Sequence, residues 1–145
     1  PTTALDVTVQ AEIISLLAEL CRELGMAMLL VTHDLGVVSG LADRIAVMYA
    51  GRIVESAEAS RFFAGPRHPY GSGLLAAVPS LDDAPGSELR TIAGTPPRPG
   101  AILPGCRFEP RCQHRQERCR SEDPAFITQG AAGIACHFPL HEAGQ

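Results

Sequence analysis

Along residues 9–24 the apolar side chains Val9, Ile13, Leu16, Leu17, Leu20 and Leu24 return every three or four positions, which places them on one face of an α-helix. Asp6 or Thr8 stands where an N-cap is needed, and Gly25 where such a helix stops. The next stretch, MAMLLVT at 26–32, is a continuous apolar run closed by the polar pair His33 and Asp34. That pattern predicts a parallel strand covered on both faces, so helix and strand together predict an α/β fold. Residues 34–41 suit a short helix, and RIAVMYAGRIVESA then alternates about Ala50 and Gly51 as a β-hairpin does. Two further short helices are predicted at 58–64 and 70–78, each bounded by Gly and Pro.

The pattern stops near Ser80. Residues 81–105 hold five prolines and four glycines, around TPPRPG, and read as an extended linker. The expected organisation is therefore an α/β body over 1–80, a linker over 81–105 and a small, irregular, cysteine-rich module over 106–145. With 145 residues and 46% apolar content the chain is long enough for one real core. Its longest apolar run falls far short of the roughly 20 residues that span a bilayer, and no basic-then-apolar leader opens it, so neither a membrane span nor a signal is expected. A formal charge of −4 argues against a nucleic-acid partner. All twelve basic residues are arginine, so no lysine is present for a phosphate-binding loop or a Schiff base.

His33 follows the predicted strand into a loop at its carboxyl edge, where open α/β sheets bind ligands. It is either a phosphate contact or a structural histidine satisfying a loop carbonyl. Its neighbours carry a resemblance. PTTALDVTVQAEIISLLAEL, LLVTHDLGVVSGLADRIAVMYAGRIVESA and HPYGSGLLAAVPS together resemble the ATP-binding subunits of ABC transporters, in the oligopeptide and dipeptide importer branch. GCRFEPRC through ACHFP is similar to that branch's C-terminal extension.

The resemblance implies part of a P-loop NTPase-type sheet, with Thr3 to Asp6 as the D-loop and His33 as the switch histidine that contacts the γ-phosphate. Asp6 would help couple two nucleotide sites across a dimer, serve as a helix cap, or do both. ATP and Mg²⁺ would be the cofactors of the parent protein. Its partners would be a second, homologous ATPase subunit in a heterodimer, transmembrane permease subunits and, indirectly, a substrate-binding protein. It would sit peripherally on the cytoplasmic face of the membrane. Walker A, signature and Walker B motifs do not occur in these residues, and Pro1 falls just after the position of the family's catalytic glutamate. The chain is thus expected to be the C-terminal part of an ATPase subunit, inactive alone. The other class of function is a stand-alone iron–sulfur or zinc module acting as regulator or scaffold.

Cys106, Cys112, Cys119 and Cys136 form a group, whereas Cys21 sits in the first helix as a small hydrophobe. Single, well-separated thiolates suit a [4Fe-4S] cluster; a Cys₄ zinc site lacks its usual close pair, and unmetallated thiols or a disulfide complete the alternatives. Residues 106–120 carry five arginines against two glutamates, a local +3 that would offset an anionic cluster and donate to its sulfurs, or else form a solvated face. Phe108, Phe126 and Phe138 are available to shield such a site. In the resembling family this extension is associated with a cluster-binding cysteine pattern, and all four positions are present here.

Overall fold

The computed structural model describes residues 7–79, 90–98, 100–101 and 103–140. They fall into two compact units, divided between Ala42 and Asp43. In the first unit, α1 (Val7–Leu24) runs the length its periodicity predicts. Thr8 lies within this helix and so is not its cap, and Asp6 lies outside the described residues. At Gly25 (φ 62°) the chain turns left-handed and the Met26 N–H reaches back to the Cys21 carbonyl at 2.9 Å, closing the last turn. α2 (Leu35–Leu41) is capped by Asp34, whose carboxylate accepts from the Gly36 and Val37 N–H groups at 2.9 and 3.4 Å.

Between these helices the expected parallel strand is not found. Residues 26–32 enter no ladder, and Leu29 and Val31 are 91% and 89% exposed. An apolar run becomes a strand only when neighbours satisfy its backbone. Every ladder among the described residues is antiparallel, and none includes this run. On the apolar stripe of α1, Leu16, Leu17, Leu20 and Leu24 are exposed, and Cys21 is half-buried. The fold is therefore a small α/β arrangement around an antiparallel sheet.

That sheet belongs to the second unit. β1 (Arg44–Tyr49) and β2 (Arg52–Glu58) form the predicted hairpin, turning through Ala50 (φ 46°) and Gly51 (φ 79°). Positive φ at both central residues matches the right-handed twist of the flanking strands. On β1, Ile45, Val47 and Tyr49 face inward. A register shift opposite Val47 and Met48 leaves Val54 unopposed, so that Val54 and Glu55 are buried in succession. α3 (Ala59–Ala64) seats Phe62 in the core, and α4 (Pro69–Ala76) starts from His68 with Pro69 in its first turn.

After the proline-rich stretch come a 3₁₀ turn (Glu109–Arg111), α5 (Glu117–Ser121), β3 (Ile127–Gln129) and β4 (Ala132–Ile134). β4 pairs with β2, giving the order β1-β2-β4-β3. The hairpin and the cysteine-bearing segment thus share one sheet. Tyr49, Tyr70 and Phe108 pack ring to ring, with centroids 4.7 to 5.3 Å apart, and so join β1, α4 and the approach to Cys112. Among the described residues no helix is long and apolar enough to cross a membrane.

Candidate functional site

The four grouped cysteines come from four different segments and line one cavity, with Phe108 and Phe138 as apolar wall and His68, His114 and His137 also bordering it. Backbone bonds set them there. The Cys106 N–H donates to the Cys119 carbonyl at 2.8 Å, bringing the first cysteine against α5. The 3₁₀ turn closes through Glu109 N–H to Cys106 O and Cys112 N–H to Glu109 O, at 3.0 and 3.1 Å, which carries Cys112 back toward Cys106. The Ala135 N–H extends the ladder by donating to Val54 O at 2.9 Å, and Cys136 follows directly. Phe126 lies elsewhere, its ring over Gly133.

Burial pushes the thiols of Cys106, Cys112 and Cys136 up, that of Cys136 to about 11, and neighbouring cysteines of the set add to each rise. Opposing this, backbone N–H groups face the sulfurs: those of Phe108 and Glu109 at Cys106, His114 at Cys112 and Phe138 at Cys136. Such donors favour thiolate, and a bound cation removes the remaining penalty. Four thiols with main-chain donors facing three of them are the chemistry this cavity offers. Among the described residues, however, no group of three or more His, Cys, Asp or Glu side chains is placed to hold a metal ion, so the expected metal site of Cys106, Cys112, Cys119 and Cys136 is not borne out by the structure.

The arginines are engaged with oxygen. Arg107 donates to the Ala50 carbonyl at the hairpin turn, Arg111 to the Ile92 and Ala93 carbonyls, and Arg115 to Pro110 O. Arg118 pairs with Glu122, and Arg120 with Glu109 and Glu117. The hydrogen bonding that faces the sulfurs comes from the main chain.

Two buried polar groups, of which His68 borders this cavity, gave no sequence signal of their role. Glu55 accepts from the Arg67 and His68 N–H groups at 2.7 and 3.0 Å, tying β2 to the start of α4. His68 is 1% exposed; its Nδ1 accepts from the Tyr70 N–H at 3.0 Å, so its proton sits on Nε2, and it bonds the Ala135 backbone. Only Pro69, a residue favoured just inside helix starts, hinted at a cap here.

Burial pulls the His68 imidazole down to about 4, against 6.5 for the free group. The unfolded chain then binds this proton first, so its contribution is complete above pH 6.5 and lost as pH falls toward 4, roughly 3 kcal/mol in all. Burial raises the Glu55 carboxyl, so acidification relieves a cost there and offsets part of the loss. Melting temperature is expected to fall between pH 7 and pH 5, and His68→Asn, which keeps a neutral cap, to flatten that slope. An unchanged slope in the variant would assign the pH dependence to other groups.

His33 lies in the first unit, exposed in the loop before α2. Its expected companion Asp6 lies outside the described residues.

Residues 54–119 match the family model described as oligopeptide/dipeptide transporter, C-terminal region. The chain is 49% identical over 142 residues to the oligopeptide transport ATP-binding protein OppD of Salmonella typhimurium, covering 98% of this chain and 42% of the relative. It is 43% identical over 144 residues to the oligopeptide transport ATP-binding protein AppD of Bacillus subtilis, covering 99% and 44%. To the dipeptide transport ATP-binding protein DppD of Escherichia coli it is 44% identical over 146 residues, covering 100% and 44%. It thus spans less than half the length of these relatives. The chain belongs to the oligopeptide/dipeptide transporter family, as the C-terminal region of its ATP-binding proteins.

Proposed function

We propose that these residues form the C-terminal part of the ATP-hydrolysing subunit of a peptide-importing ABC transporter. The observation that carries this reading is the near-complete alignment of the chain with proteins named as peptide-transport ATP-binding subunits. Phosphoryl transfer to water depends on positioning and charge stabilisation, and a neutral imidazole meets one oxygen of the γ-phosphate or the attacking water. His33 takes that role, and its exposed loop position leaves the ring accessible. Asp6 couples the paired nucleotide sites. ATP and Mg²⁺ are held chiefly by a glycine-rich loop and acidic strand end that these 145 residues do not contain.

Residues 26–32 take the parallel-strand state when packed against the rest of that ATPase, which gives exposed Leu29 and Val31 a covered environment. The subunit pairs with a second ATPase subunit and works on permease subunits at the cytoplasmic face. In the intact subunit His33→Ala is expected to lower kcat roughly 100-fold or more while changing ATP affinity much less. Equal losses in kcat and binding would assign His33 to the ground state alone, and unchanged hydrolysis would remove it from the site.

The same reading places a [4Fe-4S] cluster in the four-cysteine cavity, held by Cys106, Cys112, Cys119 and Cys136. Support comes from the four thiols that line one cavity and from the main-chain donors facing three of them. A cluster would supply a covalent staple between four segments that share little core.

A further inference from the structure

Cys112 is presented by a 3₁₀ turn of three residues, too short to hold its own geometry. The residue before it, Arg111, is tied to three other places. Its Nε donates to the Ala93 carbonyl at 3.0 Å, its Nη2 to the Ile92 carbonyl at 2.9 Å, and its Nη1 reaches the Tyr49 hydroxyl at 3.5 Å. The guanidinium carbon also stands 5.9 Å from the centre of the Tyr49 ring, within cation–π range.

Both anchors are firm. Tyr49 is 4% exposed at the end of β1 and packs on Tyr70 and Phe108. Ile92 lies so close to Gly73 of α4 that a Cβ there would meet its Cγ1 at 2.9 Å. Gly94 (φ 78°) lets residues 92–94 wrap the Arg111 stem, since a Cβ at 94 would sit 3.3 Å from Arg111 Cγ.

We infer that Arg111 is a positioning residue for Cys112: by gripping the 92–93 carbonyls and Tyr49, its guanidinium holds the turn that aims this thiol into the four-cysteine cavity. The inference rests on the cluster reading for its consequence, and on the clamp geometry for its cause. A fork of fixed N–H groups spans two successive carbonyls and an aromatic face together, which a lysine ammonium cannot. Removing it frees Cys112 while leaving Cys136, fixed by the β4 ladder, in place.

The test compares the wild-type chain with Arg111→Lys, Arg111→Gln and Gly94→Val, the last disturbing the clamp from its other side, and with Arg118→Gln as control. Each is reconstituted with iron and sulfide, then exposed to a chelator while cluster absorbance is followed. In parallel, alkylation of Cys112 and Cys136 is timed in metal-free protein by mass spectrometry. The Arg111 and Gly94 variants are expected to lose cluster roughly 10–100-fold faster, the range for loss of a residue that orients a ligand. Relative to wild type they should speed alkylation at Cys112 more than at Cys136, with Arg118→Gln unchanged. Wild-type bleaching in the variants, or equal acceleration at both thiols with a lowered melting temperature, would overturn the positioning role. A wild-type chain that takes up no iron would overturn the cluster reading, and the Cys112-to-Cys136 ratio would still decide whether Arg111 aims that thiol.

Discussion

Gly105→Ala is expected to disrupt the cysteine-bearing segment. A Cβ at this position would lie 2.3 Å from the Cys119 carbonyl oxygen and 2.6 Å from the Arg120 carbonyl carbon and oxygen. These are backbone atoms, so no side chain can swing aside. Either α5 moves away or the Cys106 N–H to Cys119 O bond breaks, and both separate two of the four cysteines. The forced shift costs roughly 1–3 kcal/mol and the lost hydrogen bond about 1 kcal/mol more. In a unit of this size that lowers the melting temperature by roughly 10 °C or more. Alkylation should then expose Cys106 and Cys119 together. Gly40→Ala is the control, because a Cβ there meets nothing within 4 Å. A Gly105→Ala chain that melts with the wild type and keeps its thiols protected would show that the close approach is dispensable.

The parts of this structure that were legible in the sequence are those with local causes. The hairpin declares itself through alternation about Ala50 and Gly51, and α2 through Asp34 and the apolar residues after it. α3 and α4 are bracketed by Gly and Pro. The helix ends moved by one or two residues, as caps and fraying allow. Residues 26–32 show the opposite case, because hydrophobicity states what a segment can bury against and not whether that surface is present. β3 and β4 went unseen because each is three residues long, and β4 exists through its pairing with β2, which lies far off in sequence. Spacing picked out the four cysteines, but it could not show that His68 borders their cavity or that Glu55 ties β2 to the start of α4. Nor could it show that arginines chosen for their charge are spent on carbonyls and carboxylates.

That redistribution of the arginines shapes what a cluster would depend on. With backbone N–H groups facing Cys106, Cys112 and Cys136, the sulfurs keep their donors whichever arginine is lost, and the fold of the turns matters more than local charge. Arg107, Arg115 and Arg118, which bond oxygens elsewhere, should therefore affect cluster retention less than Arg111, whose grip fixes a turn.

Serine in place of any one of Cys106, Cys112, Cys119 or Cys136 is expected to remove the proposed cluster or make it unstable. The chain, reconstituted under anaerobic conditions, should be brown, carry about four irons and bleach in oxygen or strong chelator. A serine oxygen is a harder and poorer ligand for this iron than thiolate, and the loss also releases one of four stapled segments. The thiols of Cys106, Cys112 and Cys136 are held protonated by burial, so metal-free protein should react slowly with alkylating reagents at neutral pH, Cys136 most slowly with its pKa near 11. Cluster assembly must displace those protons, so uptake should quicken as pH rises. Cys21→Ser should leave iron content unchanged, because Cys21 sits on α1 in the other unit. Colourless protein with one zinc per chain would reject iron while keeping the four thiolates as ligands. Metal-free protein that resists reconstitution, with the single serine variants melting like wild type, would reject a metal-bearing role for this cavity.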